Sequence, residues 1–94
     1  MVTAFILLTV ERGHVKEVGE RLADLPGVYE VYSVAGKFDL VAMVRVTANE
    51  ALADLVTDQM VKLPGITHTE TLIAFRAYSR RDVEAGFSLG ATAP

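Results

Sequence analysis

A tetrapeptide that occurs twice constrains this chain more than any other feature. Leu25-Pro26-Gly27-Val28 returns as Leu63-Pro64-Gly65-Ile66. Proline cannot continue a helix and glycine accepts the positive φ that ends one, so each copy marks a stop. An amphipathic stretch precedes each copy. In residues 14–25, Val15, Val18, Leu22 and Leu25 form one narrow stripe, with Lys16, Glu17, Glu20, Arg21 and Asp24 around the rest of the wheel. Lys16/Glu20 and Glu17/Arg21 are spaced for i,i+4 pairing. Ahead of the second copy, Ala48, Leu52, Leu55, Val56 and Leu63 make a similar stripe. Met60 stands at its margin, Gln59 interrupts it, and Val61 lies opposite. Thr47-Ala48-Asn49-Glu50 has the pattern of a capping box opening that helix.

β-Branched and apolar runs follow each copy and also open the chain. Residues 3–10, 28–35, 38–47 and 66–78 read as strands, the middle two joined by a short hairpin at Ala35-Gly36-Lys37. The order is therefore β-α-β followed by β-α-β. Right-handed crossovers place both helices on one face of an antiparallel four-stranded sheet, a ferredoxin-like α+β fold. Ninety-four residues hold one such domain. It spans residues 1–78, and residues 79–94 form a tail in which 80–84 can make one helical turn.

The second sheet face is the problem. Along the third strand Phe38, Leu40, Ala42, Val44 and Val46 share one face, while Asp39, Val41, Met43 and Arg45 share the other. The first strand is apolar on both faces. A face against water should alternate more cleanly. With 51% apolar residues and a mean hydropathy of +0.33, so short a chain carries more apolar surface than it can hide alone. A second copy packed face to face is the simplest cover.

Several functions are disfavoured by the residues present. A net charge of −3 suits no nucleic-acid-seeking surface. The absence of cysteine removes disulfides, thiolate metal sites and a cysteine nucleophile, and fits a reducing cytoplasm. Met1–Val10 lacks the basic flank of a signal peptide, and no apolar run approaches the roughly 20 residues that span a bilayer. One Asn, one Gln and no Cys hint at heat adaptation. His14 and His68 stand far apart with no paired carboxylate at ligand spacing, so no metal or cofactor is expected. Ser33, Ser79 and Ser88 lie in no Gly-x-Ser-x-Gly elbow, and no glycine-rich phosphate loop occurs.

Two features invite a ligand, each beside a plainer reading. Asp39 follows the hairpin glycine in Gly36-Lys37-Phe38-Asp39 and opens an apolar strand. It is either a strand-end carboxylate or a charged acceptor at a subunit rim, suited to an ammonium group. Thr67, Thr69 and Thr71 alternate along the last strand, as β-propensity alone would favour or as a row of hydroxyl donors.

In this order, the two Leu-Pro-Gly turns, the Gly36-x-Phe38-Asp39 hairpin between them and the threonine-rich last strand resemble the ligand-binding (RAM) domain of Lrp/AsnC transcription regulators. The resemblance covers residues 3–78. It implies dimerisation through the sheets, a ring of four dimers, and small effectors, usually amino acids, bound between dimers. The candidate contacts are Ala35, Gly36, Lys37, Phe38 and Asp39, with Thr69 and Thr71. Full-length family members begin with a helix-turn-helix domain, whereas here the first strand starts at residue 3. That implies a stand-alone cytoplasmic sensor that does not touch DNA directly and acts through a partner, such as a full-length family member. The competing reading is a dimeric α+β-barrel enzyme, a small monooxygenase or haem-associated protein. Such an enzyme needs a polar pocket between helices and sheet, and this chain offers an almost wholly aliphatic one, with no Trp and one Asn.

Overall fold

The computed structural model of the chain describes residues 1–80. The elements run β1 (Val2–Val10), α1 (Val15–Ala23), β2 (Val28–Ser33), β3 (Leu40–Val46), α2 (Asn49–Asp54) and β4 (Ile66–Ile73). Between α2 and β4 the coil continues as a π-helical turn, Leu55–Gln59, and a 3-10 turn, Met60–Lys62. The strands form one antiparallel sheet ordered β2-β3-β1-β4. This is the ferredoxin-like arrangement expected from the doubled β-α-β unit.

Pleating decides the core. Ala4, Ile6 and Leu8 of β1 stand opposite Val44, Ala42 and Leu40 of β3, and all six are buried. Val18 and Leu22 of α1, with Leu52, Leu55 and Met60 of the second helical segment, close over them. Both predicted stripes therefore cover the predicted face. Each large side chain taken out of water there contributes about 1.5–3 kcal/mol.

The repeated Leu-Pro-Gly turns do the same job twice. Gly27 and Gly65 have φ of +92° and +99°, a region that side chains with Cβ rarely enter. The Gly27 carbonyl accepts the Arg45 N–H at 2.8 Å, and the Gly65 carbonyl accepts the Glu11 N–H at 2.8 Å. Each turn thus stitches a helix-to-strand corner to a neighbouring strand end.

The second helical segment departs from a regular α-helix in two ways. No capping box forms: Ala48 is the N-cap, and no side chain caps the first turn. Gln59 broke the expected stripe because the coil widens there. The Met60 N–H reaches back to the Leu55 carbonyl, five residues away, so one extra residue fits between them. That extra residue swings Met60, expected at the margin, into the core at 1% exposure and leaves Gln59 half-buried. Val61 is exposed, as its side of the wheel required.

Three strand limits also differ from expectation. β2 stops at Ser33 and β3 starts at Leu40, so the connection is six residues rather than a short hairpin. It is closed by the Val34 N–H donating to the Asp39 carbonyl at 3.0 Å. β4 stops at Ile73, and the Ala74 N–H donating to the Thr3 carbonyl extends the pairing one step before β1 runs out. Beyond it Phe75 and Tyr78 are almost wholly exposed. The helical turn expected in residues 80–84 and the rest of the tail lie outside the described residues.

Candidate ligand-binding site

The connection from 34 to 39 is held by Asp39. Its backbone N–H donates to the Leu8 carbonyl at 2.8 Å, and its carboxylate Oδ2 accepts the Val10 N–H at 2.8 Å. The Val10 N–H faces the β3 side, where the ladder begins only at Leu40 opposite Leu8, so no strand carbonyl of β3 meets it and the Asp39 carboxylate takes its place. Asp39 is thus a strand-end carboxylate, half-buried, that clamps the end of β3 onto β1. The clamp leaves the carboxylate with spare acceptor capacity, since such a group offers about four lone-pair sites.

On this fixed base the tip of the connection is open. Ala35, Gly36 and Lys37 are exposed, and Phe38 is half-buried. Gly36 has φ of +121°, and nothing lies within 4 Å of where its Cβ would be. The backbone here is conformationally special, without the crowding found at the Leu-Pro-Gly turns.

The threonine row is broken by a bulge between Thr9 and Val10 in the β1–β4 ladder. Thr69 stands opposite Leu8 and Thr71 opposite Ile6, both half-buried on the helix side. Thr67 falls at the bulge, and its hydroxyl meets that of Thr9 at 2.8 Å. Asp39 and Thr69 therefore flank Leu8 from opposite sides at one end of the sheet, whereas Thr71 is two residues further in. Thr69 lines a cavity of about 330 Å³ with Met60, Leu63 and His68. A second cavity, about 540 Å³, opens between α1 and β2 beside Ser33 and Leu40. Residues 35–39 line neither.

The far sheet face carries no helix among the described residues. By the pleat, Phe5, Leu7, Val41, Met43 and Leu72 occupy its middle, with Tyr29, Glu30, Tyr32 and Arg45 toward β2 and His68 and Glu70 on β4. The Tyr32 hydroxyl donates to the Glu30 carboxylate, which, with the charge it carries, holds the phenol above its ordinary range. Among the described residues, no three His, Asp or Glu side chains gather closely enough to hold a metal ion. No described helix is long and apolar enough to cross a membrane.

Comparison with known proteins decides the family. The Lrp/AsnC ligand-binding domain model matches residues 3–84. The chain belongs to the Lrp/AsnC family. An uncharacterised helix-turn-helix-type transcriptional regulator of Pyrococcus horikoshii is 38% identical over 76 residues, covering 78% of this chain and 51% of that protein. The chain thus spans about half the length of the curated Lrp/AsnC relatives it matches. The crystal structure of TTHA0845 from Thermus thermophilus aligns with a TM-score of 0.80 at 51% identity, over 85% of this chain and all of the other. The Neisseria meningitidis transcriptional regulator NMB0573, crystallised as its L-Met complex, shares the fold with a TM-score of 0.75 at 16% identity, over 84% of this chain and 53% of that one.

Arg45 is the residue that sequence reading placed on the open face and then passed over. Its guanidinium lies over the Tyr29 ring, 5.1 Å from the centroid. A bulge between Val28 and Glu30 makes Tyr29 the extra residue in β2. A lone charge in an otherwise apolar strand was the available signal.

Proposed function

We propose that this Lrp/AsnC domain is a non-enzymatic sensor that binds an amino acid at the 35–39 connection and passes the bound state to transcription through a partner. The observation that carries the reading is the Asp39 clamp, which fixes the base of an exposed, glycine-bearing loop. A loop ordered in advance loses little freedom on binding. The ligand ammonium takes the remaining acceptor capacity of Asp39, and the backbone of Ala35, Gly36, Lys37 and Phe38 surrounds its polar end. Thr69 and Thr71 offer hydroxyls on the far side of Leu8.

Assembly supports the same reading. The open apolar face calls for a second copy, which yields a dimer with two such loops. Residues 35–39 line neither of the two cavities at that end of the fold, so a second dimer completes the seat, as in a ring of four dimers. The net charge of −3 argues against direct contact with DNA, which leaves that task to a partner such as a full-length Lrp/AsnC regulator.

Calorimetry across the twenty amino acids, on the parent and on Asp39→Asn, tests the proposal. Asparagine keeps an acceptor for the Val10 N–H but removes the charge. One or a few amino acids should bind the parent, and Asp39→Asn should lose tenfold or more in affinity while staying folded and oligomeric. Binding by neither protein, or equally by both, refutes the assignment.

A further inference from the structure

The four strands together hold a single lysine or arginine, Arg45, and two acids, Glu30 and Glu70. All three stand on the helix-free face. Arg45 is half-buried, and its Nε–H is shielded from solvent with no hydrogen-bond partner among the described residues. The Tyr29 ring takes one face of the guanidinium and leaves its edge for an in-plane acceptor. Glu30 is engaged by the Tyr32 hydroxyl. Glu70 is exposed, and its carboxylate has no hydrogen bond or ion pair among the described residues. Laying a second copy on this face takes Arg45 still further from water. A buried charge left unpaired is strongly unfavourable, so the covering surface must bring a carboxylate to it.

The strand register shows which carboxylate that is. Met43, Phe5 and Leu72 stand in one row across β3, β1 and β4. Arg45 lies two residues from Met43, level with Thr3, and Glu70 lies two residues from Leu72, level with Leu7. The two charges are therefore placed symmetrically about Phe5. Two strand spacings of about 4.8 Å and four residues of about 3.3 Å separate them, about 16 Å in all. One chain cannot bring them together. A two-fold axis through Phe5, lying along the face at right angles to the line between them, exchanges them between two copies.

We infer that a second copy docks on this axis, so that Arg45 of each protomer pairs with the partner's Glu70, twice per dimer. The pairing presupposes the face-to-face dimer already proposed, and adds its axis and its polar contacts. Sheets packed about 10 Å apart leave a gap that these two long side chains span together. The axis makes the strands of the two sheets cross at about 70°, within the orthogonal class of sheet packing. It also lays Phe5 on the partner's Phe5 at the centre of the face. A dimer slipped from this axis buries two guanidinium groups without acids. The pairs thus select one arrangement of an otherwise apolar face.

Fluorescence-detected sedimentation tests this by measuring the monomer–dimer step for the parent, Arg45→Glu, Glu70→Arg and the double reversal. Each single reversal sets like charges together and should weaken the dimer tenfold or more. The double reversal should return it to within about threefold of the parent. Glu70→Gln, a milder change at an exposed position, should weaken the dimer while the chain stays folded, and should shift the Arg45 Nε–H in NMR spectra of the dimer. A double reversal no tighter than the single ones would overturn the pairing and leave the face-to-face dimer standing. So would an Nε–H that responds to Glu30→Gln or Glu84→Gln but not to Glu70→Gln. A parent that sediments as a monomer at micromolar concentration overturns the dimer and the pairing together.

Discussion

Replacing Gly27 by alanine separates two reasons for a glycine in the Leu-Pro-Gly turns: backbone conformation and close approach. The conformational part comes from φ of +92°, where a Cβ costs about 1–2 kcal/mol. The packing part is set by what the Cβ would meet. It would lie 3.0 Å from Val46 Cγ1 and 3.4 Å from the Arg45 carbonyl oxygen, a backbone atom bound into the sheet. Overpacking of that kind costs about 1–3 kcal/mol. Gly13 provides the control, because its φ is +85° with nothing within 4 Å of the same position. Gly13→Ala should therefore cost about 1–2 kcal/mol and Gly27→Ala about 2–5 kcal/mol. Urea unfolding followed by circular dichroism measures both, at one protein concentration because assembly contributes to apparent stability. Similar midpoints for the two variants, at unchanged m, would refute the packing argument and reduce the repeat to a matter of turn conformation.

Other perturbations probe other parts of the fold. Met60→Ala should cost about 2–5 kcal/mol, as for any fully buried methionine, whereas Gln59→Ala should cost less than about 1 kcal/mol; equal losses would reject the π-helical turn. Asp39→Ala should destabilise the domain by about 1.5–3 kcal/mol because the Val10 N–H loses a charged acceptor, and Asp39→Asn should recover most of that in the same urea experiment. For Tyr32, a difference titration of the phenolate band between the parent and Tyr32→Phe should show ionisation above 10.0. Glu30→Gln should return it toward that value. The raised value means that the fold favours the neutral phenol, so this contribution holds at lower pH and is lost as pH rises through the folded-state ionisation.

The parts of this fold visible in the sequence are those written as periodicity. Val15, Val18 and Leu22 announced a helix and its buried side together, and the alternation of Leu40, Ala42 and Val44 fixed which face of β3 met it. The Leu-Pro-Gly repeat gave the topology. Features that depend on one backbone group finding a distant partner were hidden. Nothing around residue 39 indicates that its carboxylate must satisfy Val10, twenty-nine positions earlier. On the other side of β1, the bulge between Thr9 and Val10 splits Thr67 from Thr69, so strict alternation in the sequence misjudged the row. Thr47 and Glu50 have the spacing of a capping box, yet the chain enters the helix one residue later, at Ala48. Gln59 was the one irregularity that did show, as a break in a stripe, and its cause was the widened turn.

That widened turn has a consequence for changes in chain length. Leu55 and Met60 face the same core across five residues, while an ordinary α-helix brings such positions together across four. Deleting one residue from Val56–Gln59 lets the turn close into a regular helix with the phase preserved on both sides. The same deletion within α1 would rotate everything after it by about 100° and carry Leu22 off the sheet. One helix of this domain can thus shed a residue and keep its buried face, and the other cannot.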